Sequence, residues 1–342
     1  MHTKVWKKNG TTIIDKEIQE AANLLKEGEV VAFPTETVYG LGADATNEAA
    51  VRKIFEAKGR PQDNPLIAHV ASAEQLKELV TYIPDYVYPL MEAFSPGPLT
   101  YILPANDFCA ENVKAGLSTI GVRIPSHPIA LALLQVAGKP VAAPSANVSG
   151  KPSPTQAAHV YEDLNGKISG LIDGGQTGVG LESTVIDCTG EIPVILRPGG
   201  VTKEQLEAEA GTVMIDPGLV TSSADRPKAP GMKYKHYAPE VPLYLFEGNL
   251  QAFSAFVDKE KQAGNRIGVL ASNQSAEIFP DGTKVHLLGG TIEEIASSLY
   301  DGLRFFKHAN VDKIVCETFP EQGIGQAVMN RLRKAADQII KE

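Results

Sequence analysis

A chain of 342 residues exceeds the length at which one hydrophobic core stops growing, so two domains are expected. Its 43% hydrophobic and 21% charged residues are ordinary for a soluble globular protein, and no apolar run reaches the eighteen residues of a membrane-spanning helix. The formal charge of −9 excludes a surface that attracts nucleic acid as a whole, so any anion site must be a local basic pocket.

The three cysteines, Cys109, Cys188 and Cys316, are far apart and never form a C-x-x-C pair, which argues against a disulfide framework and a zinc site. The opening MHTKVWKKNG has no apolar core and no small-residue cleavage site. A reducing, cytoplasmic location is expected.

In chain order, residues 17–28 predict an amphipathic helix closed by Gly28. Val30 to Phe33 then predict a short buried strand that Pro34 breaks. The following TETVYGLG reads as a polar turn, in which Gly40 and Gly42 supply backbone freedom. Hydroxyls and N–H groups at a strand end suit ligand binding in α/β proteins, although this is not a dinucleotide fingerprint. A helix over 47–57 stops at Gly59 and Pro61, and its end releases Lys58 and Arg60 into a rigid turn suited to an anion. PLIAHV is a strand ending near His69, residues 72–80 a helix, and FSPGPLTYILP a turn and strand.

In IGVRIP, Arg123 lies on the face opposite Val122 and Ile124, where a lone arginine either faces water, the commoner case, or walls a pocket, as Ser118 and Thr119 before it and His127 after it suggest. Residues 129–137 are helical, and the strand Val141–Ala143 ends at Pro144. Ser145 and Asn147 follow two apart, on one face if extended, and Ser149, Lys151 and Ser153 continue in a Pro/Gly-rich loop. GGQTGVG leads through Ser183 into the strand TVID, and Arg197 ends PVILR. Five strand ends thus carry hydroxyl or cationic groups. Residues 201–226 predict a helix and a linker loop. The segment KAPGMKYKHYAPE gathers Lys228, Lys233, Lys235, Tyr234, His236 and Tyr237, more basic and aromatic than a plain tether, and is expected to act as a lid. The last hundred residues alternate strands (VPLYLF, RIGVLA, KVHLL, KIVCETF) with helices over 249–262, 292–308 and 325–340, which predicts a small parallel α/β domain.

PTETVYGLG, the K-G-R of 58–60 and the S-A-N of 145–147 together resemble the YrdC/Sua5 family of threonylcarbamoyl-AMP synthases. PGMKYKHYAP and the tail GIGQAVMNRLRKAA are similar to its two-domain Sua5 type. The resemblance implies an α/β fold: a twisted, open mixed sheet (YrdC-like) over 1–212, a linker and lid over 213–240, and a Rossmann-like domain over 241–342. It implies a nucleotidyltransferase that joins L-threonine, bicarbonate or CO2, and ATP with Mg2+. Products are threonylcarbamoyl-AMP and pyrophosphate, the former passed to the machinery that makes threonylcarbamoyladenosine at position 37 of tRNAs reading ANN codons.

Carried over by position, Lys58 and Arg60 are catalytic. The ATP contacts are Lys58, Gln62, Thr119, Ser145, Asn147, Ser153, Arg197 and His236. Thr35, His69, Arg123, the Ala143 backbone and Ser183 hold threonine, with Arg123 on its carboxylate. No protein side chain is expected to bind the metal. The alternative is a double-stranded RNA or tRNA-binding module without adenylate chemistry, which the acidic total charge disfavours. The carbamoyl-transfer module of hydrogenase maturation shares the fold but carries zinc-finger cysteine pairs, which this sequence lacks.

Overall fold

The structure, a computed structural model, describes residues 2–8, 14–219, 236–280 and 282–341. Of the expected lid, Lys228, Lys233, Tyr234 and Lys235 lie outside the described residues. The chain divides into two compact units.

The first unit is built on an eleven-stranded mixed sheet. Its strands are β1 (Lys4–Lys7), β2 (Val31–Phe33), β3 (Gly40–Asp44), β4 (Ile67–His69), β5 (Leu99–Pro104) and β6 (Thr119–Arg123). They continue with β7 (Val141–Ala142), β8 (Gly170–Asp173), β9 (Thr184–Asp187), β10 (Val194–Arg197) and β11 (Met214–Ile215), in the order β1-β8-β2-β3-β7-β4-β6-β5-β9-β10-β11. Alternation along the strands feeds two cores: Ala32 and Ala142 join one apolar cluster, while Val31, Phe33 and Val141 join another.

The helices form where local chemistry says they should. Helix Lys16–Lys26 buries Ile18, Ala21, Ala22 and Leu25, one face of a 3.6-residue period, and Asp15 caps it by accepting from the N–H groups of Glu17 and Ile18. Helix Glu48–Lys58 is capped by Asn47 and ended by Gly59 at φ +62°. That left-handed residue turns the chain and leaves Lys58 on the last helical turn.

The expected turn over TETVYGLG is corrected in part. Gly40 to Asp44 form β3, antiparallel to β2 with Phe33 opposite Gly40 and Val31 opposite Gly42. Gly42 serves close packing here: a Cβ on it would lie 2.7 Å from Val141 Cγ1 and 2.8 Å from a Phe33 ring carbon.

The second unit holds a five-stranded sheet of β12 (Leu243–Glu247), β13 (Ile267–Ala271), β14 (Lys284–Leu287), β15 (Lys313–Glu317) and β16 (Gln338–Lys341). All four pairings are parallel, as alternation predicted. The helix expected over 325–340 ends at Ala335, and Gln338–Lys341 is instead the edge strand beside β12. The β-branched pair Ile339 and Ile340 can extend along a strand whose backbone partners lie nearly a hundred residues earlier, which no local period reveals.

Candidate functional site

Register brings the candidates together at strand ends. His69 on β4 sits opposite Arg123 on parallel β6 and opposite Val141 on antiparallel β7. Because β5 runs antiparallel to β6, its leading residues meet the end of β6, where the Gly97 N–H donates to the Ile124 carbonyl at 2.8 Å. Strand β9 enters beside them, its Thr184 N–H donating to the Pro98 carbonyl at 3.0 Å.

The Thr35 hydroxyl donates to the Val38 carbonyl at 2.7 Å and accepts from the N–H of Thr37 at 3.1 Å, a hydroxyl-closed turn. The Thr37 hydroxyl lies 2.8 Å from that of Thr35 and accepts from Arg123 Nη1 at 3.0 Å. Arg123 is only 3% exposed; its Nε donates to the Gly97 carbonyl at 3.1 Å and its Nη2 meets the Glu36 carboxylate at 2.5 Å. Far from facing water, this arginine is fixed on three sides. Burial, the largest single influence, pulls the Glu36 carboxyl upward, yet the charge and hydrogen bond of Arg123 together with the backbone N–H groups of Glu36 and Ser126 hold the pKa below the usual carboxylate range.

His69 is buried, and its Nδ1 lies 3.2 Å from the Ile67 carbonyl. A carbonyl only accepts, so Nδ1 carries the proton and Nε2 presents a lone pair. Burial first, and the nearby Arg123 charge second, push the imidazole pKa down to about 3, so the ring is neutral at physiological pH. Ala143 is buried, and its N–H donates to the Ile67 carbonyl at 2.9 Å.

Ser183 is buried, its hydroxyl 2.8 Å from that of Thr100. Arg197 Nη2 donates to the Ser183 carbonyl at 3.0 Å and to its hydroxyl at 3.2 Å. Gly199 permits this approach: a Cβ there would lie 2.3 Å from both the Glu182 oxygen and the Thr184 nitrogen.

A second cluster gathers at the end of helix Glu48–Lys58. Lys58, 2% exposed, donates from Nζ to the carbonyls of Ser145 and Asn147, both at 2.5 Å. The Ser145 hydroxyl donates to Asn147 Oδ1 at 2.6 Å, as the two-residue spacing anticipated. Arg60 is half-buried and donates from Nη2 to the Pro65 carbonyl at 3.1 Å, bracing its own loop. Gln62 is exposed on that loop, and half-buried Thr119 opens β6 opposite Pro104. Among the described residues, no hydrogen bond joins Gln62 or Thr119 to another candidate. Ser153 and His236 belong to the second unit.

Glu36 and Thr37 stand outside the candidate set, although both touch Arg123. Their signal was present in the string Thr-Glu-Thr, but a carboxylate there gains its meaning only from an arginine placed by a different strand. Among the described residues, no group of three or more histidine, cysteine or carboxylate side chains converges as a metal site. No helix of the structure is long and apolar enough to cross a membrane.

Residues 23–199 match the family described as "Telomere recombination", the Sua5/YciO/YrdC group, and residues 201–337 match "Threonylcarbamoyl-AMP synthase, C-terminal domain". The threonylcarbamoyl-AMP synthase of Bacillus subtilis (strain 168) is 51% identical over 341 residues, covering 98% of each chain. That of Pyrococcus abyssi is 49% identical over 330 residues, covering 95% of this chain and 96% of its own. The crystal structure of P. abyssi Sua5 complexed with L-threonine superposes with a TM-score of 0.93 at 47% identity, covering 100% of both chains.

Proposed function

Since this chain belongs to the Sua5/YrdC family of threonylcarbamoyl-AMP synthases, we propose that it makes threonylcarbamoyl-AMP and pyrophosphate from L-threonine, bicarbonate or CO2, and ATP. The observation that carries this reading is the end-to-end likeness to a Sua5 structure that holds L-threonine. The product serves, in this reading, the threonylcarbamoylation of adenosine 37 in tRNAs reading ANN codons, in the cytoplasm. A catalytic domain over 1–212 and a C-terminal domain over 241–342 are the proposed division of labour.

The chemistry balances without a covalent enzyme intermediate. The threonine ammonium loses one proton, the free amine adds to the carbon of CO2, and the nitrogen releases a second proton to solvent to give a carbamate. One carbamate oxygen then attacks the α-phosphorus of ATP, the bond to the bridging oxygen of the β-phosphate breaks, and pyrophosphate leaves. Two anions must approach each other, so the protein's task is charge neutralisation and positioning.

Arg123 suits the threonine carboxylate because Gly97, Thr37 and Glu36 already hold its fork. Neutral His69, with Nε2 as an acceptor, suits the threonine hydroxyl, and Thr35, Ala143 and Ser183 complete that pocket. Lys58 and Arg60 are the proposed catalytic cations, and Lys58, Gln62, Thr119, Ser145, Asn147 and Arg197 the proposed ATP contacts. Ser153 and His236, carried by the second unit, are proposed ATP contacts on the family resemblance alone. Mg2+ enters with ATP as part of the MgATP substrate, riding on the phosphates.

Purified protein should release pyrophosphate from ATP only when threonine and bicarbonate are both supplied. Equal release without threonine would refute the reading.

A further inference from the structure

Carbamate formation begins with a proton leaving the threonine ammonium. Arg123 cannot accept it, and the hydroxyls of the pocket are far too weak as bases. Two imidazoles stand near and are also poor acceptors. His69 stays neutral down to about pH 3. His127 is half-buried, which pushes its imidazole pKa below the ordinary value, and its Nδ1 already accepts the Ile129 N–H at 3.2 Å.

Glu36 is different. It lies between Thr35 and Thr37 on the turn that the Thr35 hydroxyl closes. Its side chain keeps 14% of its surface exposed, while both carboxylate oxygens are shielded from solvent. Arg123 Nη2 stands 2.5 Å from one of them, and among the described residues no other side chain donates to either. A carboxylate accepts several hydrogen bonds, so acceptor capacity is left beside the guanidinium. Gly97, Thr37 and Glu36 each take one N–H of that guanidinium, and its fork has others to offer a substrate carboxylate. An α-amino acid carries its ammonium on the carbon next to its carboxylate. Threonine seated on Arg123 therefore brings its ammonium alongside Glu36.

We propose that Glu36 is a catalytic residue of this site, the base that takes the first proton from the threonine ammonium. The inference rests on the reading that Arg123 holds the threonine carboxylate. As that carboxylate shares the guanidinium, Glu36 turns an oxygen to the neighbouring ammonium. One N–H bond breaks and one carboxyl O–H bond forms, and the nitrogen keeps the electron pair with which it attacks the carbon of CO2. Glu36 returns its proton to solvent when the product leaves.

Electrostatics favour the transfer. Burial raises the Glu36 pKa, and Arg123 is the main influence that lowers it. A second carboxylate on the guanidinium weakens that lowering, so Glu36 becomes a better proton acceptor once threonine is seated. The charged and titratable groups that face it are Arg123, His69 and His127, and both imidazoles are neutral above about pH 6.5.

The test uses the full-length protein and Glu36→Gln, which keeps the length and an oxygen for Arg123 but cannot take the proton. With dissolved CO2 and ATP fixed and saturating, kcat/KM for threonine should fall about 100-fold at about pH 7, the scale of a lost general base. The loss should shrink nearly tenfold between about pH 6.5 and 7.5. The variant must draw free amine from solution, and its share grows with pH below an α-amino pKa of about 8. Wild type should stay nearly flat over that range, and threonine affinity by calorimetry should differ by less than about fivefold between the two. A loss that is constant with pH, or carried wholly by threonine affinity, means that the carboxylate only holds Arg123 and overturns the proposal. Should Glu36→Gln fail to fold, wild type alone decides: a near-tenfold rise of its own kcat/KM across the window shows that it takes free amine and needs no base. If wild type makes no threonine-dependent pyrophosphate, the proposed reaction has failed; if wild type works and Glu36→Gln matches it, only the Glu36 assignment has failed.

Discussion

Lys58 and Asn147 are 89 positions apart in sequence, yet the lysine Nζ donates to the asparagine carbonyl at 2.5 Å, and to the Ser145 carbonyl at the same distance. One cation therefore ties a helix C-terminus to the Ser-x-Asn loop. Two of the motifs that carry the family resemblance, K-G-R and S-A-N, are a single structural object.

That link predicts a double effect of Lys58→Ala. Turnover should fall at least about 100-fold, the usual scale for removing one preorganised electrostatic group. The fold should persist but weaken by about 1–3 kcal/mol, because two carbonyls lose a charged donor. Pyrophosphate release and urea denaturation measure the two parts. Near-normal turnover would show that the lysine is structural only.

Arg123→Lys tests the fork. An ammonium cannot hold Gly97, Thr37 and Glu36 in the planar arrangement of a guanidinium. The KM for threonine should rise about tenfold or more, roughly 1.4 kcal/mol, with a smaller change in the KM for ATP. If the ATP parameter shifts more than the threonine one, Arg123 serves the nucleotide instead.

His69 gives the protein an acid-sensitive step whose sign is fixed. In the unfolded chain the imidazole takes a proton near pH 6.5, whereas the fold refuses it until about 3. The unfolded state therefore binds more protons between those values, and stability falls as pH drops through the window. At pH 5 the loss from this residue is about 2 kcal/mol relative to pH 7.5. His69→Gln should shed most of that difference in denaturation titrations at the two pH values; an identical pH dependence in wild type and variant would contradict it.

Two glycines rank differently. Gly42→Ala meets side-chain atoms of Val141 and Phe33, which can shift, so a loss of about 1–3 kcal/mol is expected. Gly199→Ala meets backbone of Glu182 and Thr184, which cannot move without disturbing Ser183 and its bond to Arg197. Thermal melts should therefore place Gly199→Ala below Gly42→Ala, and only the former should also impair threonine binding.

Much of the architecture was readable from local pattern. The helix ended by Gly59, the strand reaching His69, the Ser145–Asn147 face and the parallel C-terminal sheet all follow from periodicity, caps and breakers, interactions that span a few residues. The same local logic placed Lys58 and Arg60 together beside a rigid turn.

Tertiary structure decided what those residues face. Sheet order brought His69 beside Arg123 and put Glu36 on the guanidinium, which turned a lone strand arginine into a buried ion pair and left a histidine neutral. It made Gly42 a packing residue, and it drew Gln338–Lys341 out of an expected helix to pair with β12. Side-chain periodicity encodes which face of an element is apolar, but hydrogen bonds, ion pairs and burial depend on which distant strand arrives next to it.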